Sequence, residues 1–399
     1  MKNITESAKN IPVSGDYDVV VVGGGIAGVA AAVAAARNGA SACIIEKEFG
    51  LGGLATLGNV IIYLPLCDGC GNQVIKGLSE ELLKLSIRDG YNKIPDCWLP
   101  GGNIEERAKK RYRVDFNPMS FMLELEGFLA DNNVKLHYDT RFCDVVKESG
   151  SIKAVIVENK NGRSAIACGS VVDASGDADV CFRAGEETVS WDSNVRAGWF
   201  YYFDGTSVRL DKFTKWYDAS GKHLPDSGRD FAGDDACDIT EFVLDTRKLL
   251  KQKLAELKQE NPAVSPLFMT SIPAFRMTRR LKGAVELEET DDKHYFDDTV
   301  GMTGNWHKSG PIFYIPLRSL AAVRTGNLIT AGRCISSGTT LWDITRAIPT
   351  CAVTGEAAGT AAAALKQENK TSFAKLDIPR LQQQLRKQQV IIDKKFAMS

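Results

Sequence analysis

The chain has 399 residues, 44% hydrophobic and 25% charged, with a formal net charge of -1. That composition describes an ordinary globular protein with material for about two or three domains. It offers no basic field to nucleic acid or to an anionic membrane surface, and no apolar run approaches the ~20 residues of a membrane span.

The first residues, MKNITESAKNIPVSGD, are polar and lack the apolar core of a signal peptide. Val19–Val22 is a β-branched run suited to a strand buried on both faces. Gly23, Gly25 and Gly28 then complete GxGxxG, and a helix runs from Ile26 and Ala27 to Arg37, stopping at Asn38-Gly39. A second apolar strand, Ala42–Ile45, delivers Glu46. The first glycine permits the tight turn, the second lets a pyrophosphate approach the backbone, and the third lets helix and strand pack closely. The helix N-terminus offers unpaired N–H groups and partial positive charge to the phosphates. Glu46 is placed to accept hydrogen bonds from ribose hydroxyls, which favours FAD or NAD over NADP. A glycine-rich loop alone would mean little, but strand, glycines, helix, strand and acid arrive in the order a dinucleotide site requires.

Lys47 to Thr56 contains Gly52, Gly53 and Leu54, a turn that would suit either a backbone running along an extended cofactor or a surface loop. Cys67 and Cys70 form a CxxC, but it follows Pro65 and precedes Gly71, so a chance pairing in a loop is favoured over a redox pair. Gln73–Arg88 reads as an amphipathic helix, and about 60–113 as a surface excursion. A helix from Asn117-Pro118 through Ala130 leads to strands at Val134–Tyr138, Phe142–Lys147 and Ile152–Glu158. Asn161-Gly162 marks a hairpin, Ser164–Cys168 returns, and Val171–Asp177 is a buried strand running into a glycine turn. Trp191–Met269, with a charged helix at Ile239–Glu260, reads as a cap. Strands at Ile312–Leu317 and Asn327–Arg333 precede a helix that begins at Pro349, with Gly355, Ala358 and Gly359 leaving a small-residue face. The tail from Lys366 is polar, with a last helix near Leu381–Ile392. The ten cysteines are scattered, the four histidines make no zinc-spaced set with them, and a reduced, cytoplasmic, metal-free protein is expected.

Three separated stretches, GGGIAG with Glu46 and Gly52-Gly53, VVDASGDADV, and NLITAGRCISSG with TRAIPTCAVTGEAAGTAAAAL, resemble the FAD-dependent oxidoreductases with a glutathione-reductase-type fold, a group distantly akin to fumarate reductase flavoproteins. The resemblance covers nearly the whole chain and is loosest between about 191 and 269. It implies an α/β, Rossmann-like FAD-binding domain built from discontinuous segments, 16–186 and 325–370. A mixed α+β cap over 187–324 and a helical tail over 371–399 would complete the chain. It also implies that Phe142 touches the adenine through its backbone and that Ala174, Ser175 and Gly176 turn beside the cofactor. Gly332 and Arg333 would approach the pyrophosphate or ribityl region, and the helix at Pro349, Thr350 and Cys351 would aim at the flavin. Such an N-terminus stabilises the negative charge that reduced flavin carries near N1 and O2.

Thr56-Leu57-Gly58-Asn59 has no histidine where some fumarate-reductase relatives attach flavin, so noncovalent FAD is expected. Gly332-Arg333 replaces the Gly-Asp of aromatic hydroxylases, and no second GxGxxG supplies an NAD(P)H domain, which leaves room for a separate electron donor or acceptor. The expected reaction is hydride transfer between flavin N5 and a small organic substrate. The alternative is a nucleotide-binding protein without flavin redox chemistry, either thiazole-synthase-like or an escort protein. Arg346, before the flavin-facing helix, could clamp a substrate carboxylate or simply pair with Asp343. His307 is the candidate for proton transfer, against the reading of a solvated loop histidine. Arg276, Arg279 and Arg280 could serve substrate or be a charged face.

Overall fold

The computed structural model describes residues 4, 7–90, 92–212 and 228–398. β1 (Val13–Val22), α1 (Ile26–Arg37) and β2 (Ala42–Ile45) come first, with the strand–helix–strand order expected. β3 (Ile62–Tyr63), α2 (Leu78–Ser86), β4 (Val114–Asp115), α3 (Pro118–Asp131) and β5 (Lys135–His137) follow. A meander of β6 (Arg141–Glu148), β7 (Ser151–Asn159) and β8 (Gly162–Asp173) then leads to α4 (Asp179–Arg183). The cap region contributes β9 (Thr188–Ser190), β10 (Trp199–Phe203), β11 (Val208–Lys212), α5 (Ala236–Glu260), β12 (Ser265–Met269) and β13 (Arg279–Leu281). A hairpin of β14 (Thr299–Gly304) and β15 (Ile312–Pro316) precedes β16 (Leu328–Thr330), α6 (Thr339–Thr345), α7 (Ile348–Gln367) and α8 (Ile378–Lys387).

The main sheet has the order β5-β2-β1-β8-β7-β6, with β16 also against β8. β5, β2, β1, β8 and β16 all run parallel, so their C-terminal ends open on one side. Val19–Val22 is buried between β2 and β8, as its β-branched composition requires. β8 is one continuous strand rather than the two segments expected. Its first half pairs with β7 through the Asn159–Gly162 turn, and Val171–Asp173 then pairs with β16. The continuity places the Ala174 turn level with the turn after β1.

α2 begins later than its hydrophobic pattern predicts, because Gly77 sits at φ +67° and breaks the helical path just before Leu78. α8 instead starts earlier, where Asp377 accepts from the Arg380 N–H and Pro379 fits the first turn. α1 and α7 pack backbone to backbone. A Cβ at Gly355 would stand 2.2 Å from the Ala27 carbonyl oxygen, so only glycine permits the approach. On α7's other flank the β14–β15 hairpin buries Met302, Tyr314 and Ile315, and Gly301 abuts Val353.

Within the stretch read as a cap, β11-β10-β12 form a three-stranded sheet, and α5 lies between β11 and β12 in the chain. A small core joins Ala197, Phe231, Phe242, Ala274 and Phe275, with the Phe242 and Phe275 rings stacked 4.1 Å apart. Within the stretch read as cap, 213–227 lies outside the described residues.

Candidate active site

The turns that follow the parallel strands line one cleft of about 260 Å³. Gly23, Gly25, Ile26 and Ala27 form one wall; Glu46, Lys47, Gly52, Gly53 and Leu54 form the next. Ala174, Ser175 and Gly176 come from the end of β8, and Gly332 and Arg333 from the end of β16. Arg346, Ile348 and Cys351 bring in the start of α7. This is where ligands bind in open α/β sheets, at the carboxyl ends of strands where the strand order reverses.

The three glycine turns are in direct contact. A Cβ on Gly23 would stand 2.4 Å from the Ala174 carbonyl oxygen, and one on Gly332 2.7 Å from Ala27 Cβ. At Gly25 a Cβ would meet nothing within 4 Å, because that face of the turn is the cleft itself. Gly28 does not line the cleft; a Cβ there would lie 1.9 Å from the Gly23 carbonyl oxygen, so its part is to let α1 sit against β1.

Gly25 caps α1 with backbone alone, and Ala347 does the same for α7. The first-turn N–H groups of both helices are therefore left for a ligand. Glu46, 8% exposed, accepts the Gly24 N–H at 2.6 Å and the Glu48 N–H at 2.9 Å. Burial pushes its carboxyl above the usual range, and those two backbone donors oppose the shift. An acid fixed beside the first glycine turn, open space at Gly25 and uncapped helix N-termini are what an ADP moiety and a flavin need. The residues present fit FAD.

The catalytic candidates meet at Asp343. Its carboxylate pairs with Arg346, and His307 Nε2 lies 2.6 Å from its second oxygen. Burial alone would raise the Asp343 carboxyl, but Arg346 and His307 outweigh it and hold it at about 2. Arg346 reaches the cleft, and its Nε is buried with no partner among the described residues. His307 does not line the cleft; its side chain is 50% exposed and its ring lies against Trp306.

Other expected contacts fall elsewhere. Phe142 is partly buried against the hydrophobic cluster that includes Val20, Val22 and Ile166, and is not part of the cleft wall. Pro349 and Thr350 are buried behind the wall: the helix turns Thr350 toward the β14–β15 hairpin, its hydroxyl 2.7 Å from that of Thr303, and the Pro349 carbonyl accepts from the Ser79 hydroxyl on α2. Arg333 lines the cleft, yet its guanidinium binds the Gly176 carbonyl, the Phe275 carbonyl and Asp177, tying cap to turn. Arg279 pairs with Asp179 and Arg280 with Glu286, and neither reaches the cleft. The sequence reading missed Asp173, fully buried, which accepts from Ser175 and the Cys181 N–H and so shapes the 174–176 turn. It also missed Ile239, Ile272, Pro273 and Phe275, an apolar roof that residues from the 187–324 stretch add to the cleft lining. Their spacing in the chain carries no signal of that convergence.

A family model described as FAD dependent oxidoreductase matches residues 18–198 and 207–385. The chain belongs to the FAD-dependent oxidoreductase family. FAD is thus the cofactor of this flavoprotein, held on a Rossmann-type α/β domain. Among curated proteins, a thioredoxin reductase from Ureaplasma parvum is 39% identical over 94 residues, which cover 24% of this chain and 29% of that reductase. The match thus spans under a third of the relative's length. Among solved structures, a geranylgeranyl bacteriochlorophyll reductase-like protein from Thermoplasma acidophilum is 14% identical, with 94% of this oxidoreductase and 83% of that chain covered at a TM-score of 0.46. A p-nitrophenol 4-monooxygenase from Pseudomonas putida is 12% identical, with 89% and 82% covered at a TM-score of 0.45. Neither likeness bears on the substrate. Among the described residues no helix is long and apolar enough to cross a membrane, and no cluster could hold a metal ion.

Proposed function

We propose that this oxidoreductase transfers hydride between N5 of a noncovalently held FAD and a small organic substrate lying under the apolar roof. The observation that carries this reading is Arg346, a cation at the cleft wall beside the start of α7, whose Nε has no partner among the described residues. When bound, the flavin supplies the hydride exchange. The chain supplies the rest. Gly23 to Ala27 and Glu46 hold the ADP end, and the α7 N-terminus favours negative charge on the reduced ring. Ile239, Ile272 and Phe275 exclude water from the ring face, while Arg346 orients a substrate carboxylate or carbonyl. His307, outside the wall, is a positioning residue: its Nε2 bond to Asp343 helps set the guanidinium's angle.

The test is Arg346→Ala. The variant should purify with a full complement of FAD and its visible spectrum, yet lose about 10²-fold or more in the rate of flavin reduction by substrate. Asp343→Asn should keep FAD as well and lose less, since Arg346 survives but is no longer held. Unchanged reduction rates in Arg346→Ala would remove the anchor from the mechanism.

A further inference from the structure

A second cavity, of about 650 Å³, lies beside the C-terminal half of α1 and shares no lining residue with the flavin cleft. Ala34 and Arg37 line it, while Ala27 lines the cleft, so along α1 the two are separated by roughly 10 Å at about 1.5 Å per residue. Its volume falls in the range of small-molecule sites. Its charge balance departs from that of the whole chain, which carries -1. Five cations and three carboxylates line it: Arg37, Lys76, Lys84, Arg107 and Lys387 against Glu80, Glu81 and Glu356. Two of the carboxylates are already matched. Glu81 accepts from the two terminal guanidinium nitrogens of Arg37, at 2.7 and 2.9 Å, and Glu80 takes Lys84 at 2.9 Å.

Three cations are left facing one concavity. Lys76 and Lys387 have no carboxylate partner among the described residues, and Arg107 donates to the Cys97 carbonyl while lying 5.0 Å over the Trp98 ring. Only Glu356 opposes them, and it is turned inward: 2% exposed, it accepts the Leu78 N–H at 2.8 Å. Like charges gathered in a concave, partly desolvated space repel unless a counter-charge enters.

We infer that this cavity is a second small-molecule site, one that takes a compact di- or trianion, a phosphorylated or polycarboxylate ligand, between Lys76, Arg107 and Lys387. The inference is independent of the hydride-transfer reading, and its test needs no turnover. FAD-loaded protein is titrated calorimetrically at low ionic strength with inorganic pyrophosphate and, separately, with citrate. The wild type should bind at least one of them saturably at one per chain, and Lys76→Met/Lys387→Met should weaken that binding at least tenfold with unchanged flavin content. Which anion binds tells the phosphorylated class from the polycarboxylate class. A second measurement needs no variant: the bound anion should protect Lys76 and Lys387, but not exposed Lys375, from acetylation by an N-hydroxysuccinimide ester, read by mass spectrometry. Absence of saturable binding to both anions, equal affinity in the double variant, or equal labelling of the three lysines would overturn the proposal.

Discussion

Gly359 on α7 faces Ala31 on α1 so closely that a Cβ there would stand 2.0 Å from the Ala31 carbonyl oxygen. The contact lies one helical turn beyond Gly355 and fixes the spacing of the two helices whose N-termini flank the cleft.

A larger side chain therefore must push the helices apart. Gly359→Val should destabilise the fold by about 1–3 kcal/mol, the usual cost of overpacking, and should lower the flavin content of purified protein because the α7 N-terminus moves with it. Thermal melting and flavin absorbance per chain check both. A normal melt with full flavin would show that the contact is slack.

Glu46 holds two backbone N–H groups with one carboxylate. Glu46→Gln presents an amide nitrogen to one of those donors and removes the charge offered to the ribose. With about 1–3 kcal/mol at stake for such a bond, FAD should bind roughly 10- to 100-fold more weakly. Fluorescence titration of the apoprotein with FAD measures it.

Glu356 makes stability depend on pH. Burial pushes its carboxyl up to about 7, against 4.5 for a free side chain. Below pH 4.5 the group is protonated folded or unfolded and costs nothing. Between about 4.5 and 7 the unfolded chain releases the proton while the folded chain keeps it, so stability falls as pH rises through that window, by on the order of 3 kcal/mol. Above 7 the loss is complete. Glu356→Gln should remove this slope, leaving the variant relatively more stable at pH 8 than at pH 5. Denaturant melts at the two values test it, and a wild-type–variant difference that does not change with pH would refute the assignment.

The thiols divide by exposure. Cys70 and Cys237 are exposed, whereas Cys43, Cys181 and Cys334 are buried. Burial also pushes Cys351, in the cleft wall, up to about 12, with Arg333 and Arg346 opposing the shift. Native protein should react rapidly at Cys70 and Cys237 with a disulfide reagent, and Cys70→Ser should leave flavin reduction unchanged, since Cys67 and Cys70 lie outside the cleft. Loss of flavin reduction in Cys70→Ser would restore the redox reading of CxxC.

In the first βαβ unit the buried end of β1, α1 and β2 were legible to the residue, because every requirement there is local: β-branched residues for a buried strand, glycines for a turn, an uncapped Ala-rich helix, an acid at the next strand end. The start of β1 was not: it lies at Val13 rather than Val19, because the residues before Tyr17 pair along the distant β8. The glycine turns after β8 and β16 were legible for the same reason, as was the small-residue face of α7. What the sequence alone did not determine depends on partners far away in the chain. The continuity of β8 follows from β1, β7 and β16 pairing along its edges. The late start of α2 follows from one left-handed glycine beside Glu356, and the withdrawal of Thr350 from the cleft from a hydroxyl on Thr303. Asp343 joins Arg346, three residues away on its own helix end, to His307, 36 residues away, and no periodicity encodes the second contact. Local backbone preference is written in neighbouring residues, whereas side-chain convergence is decided only when packing brings distant elements together.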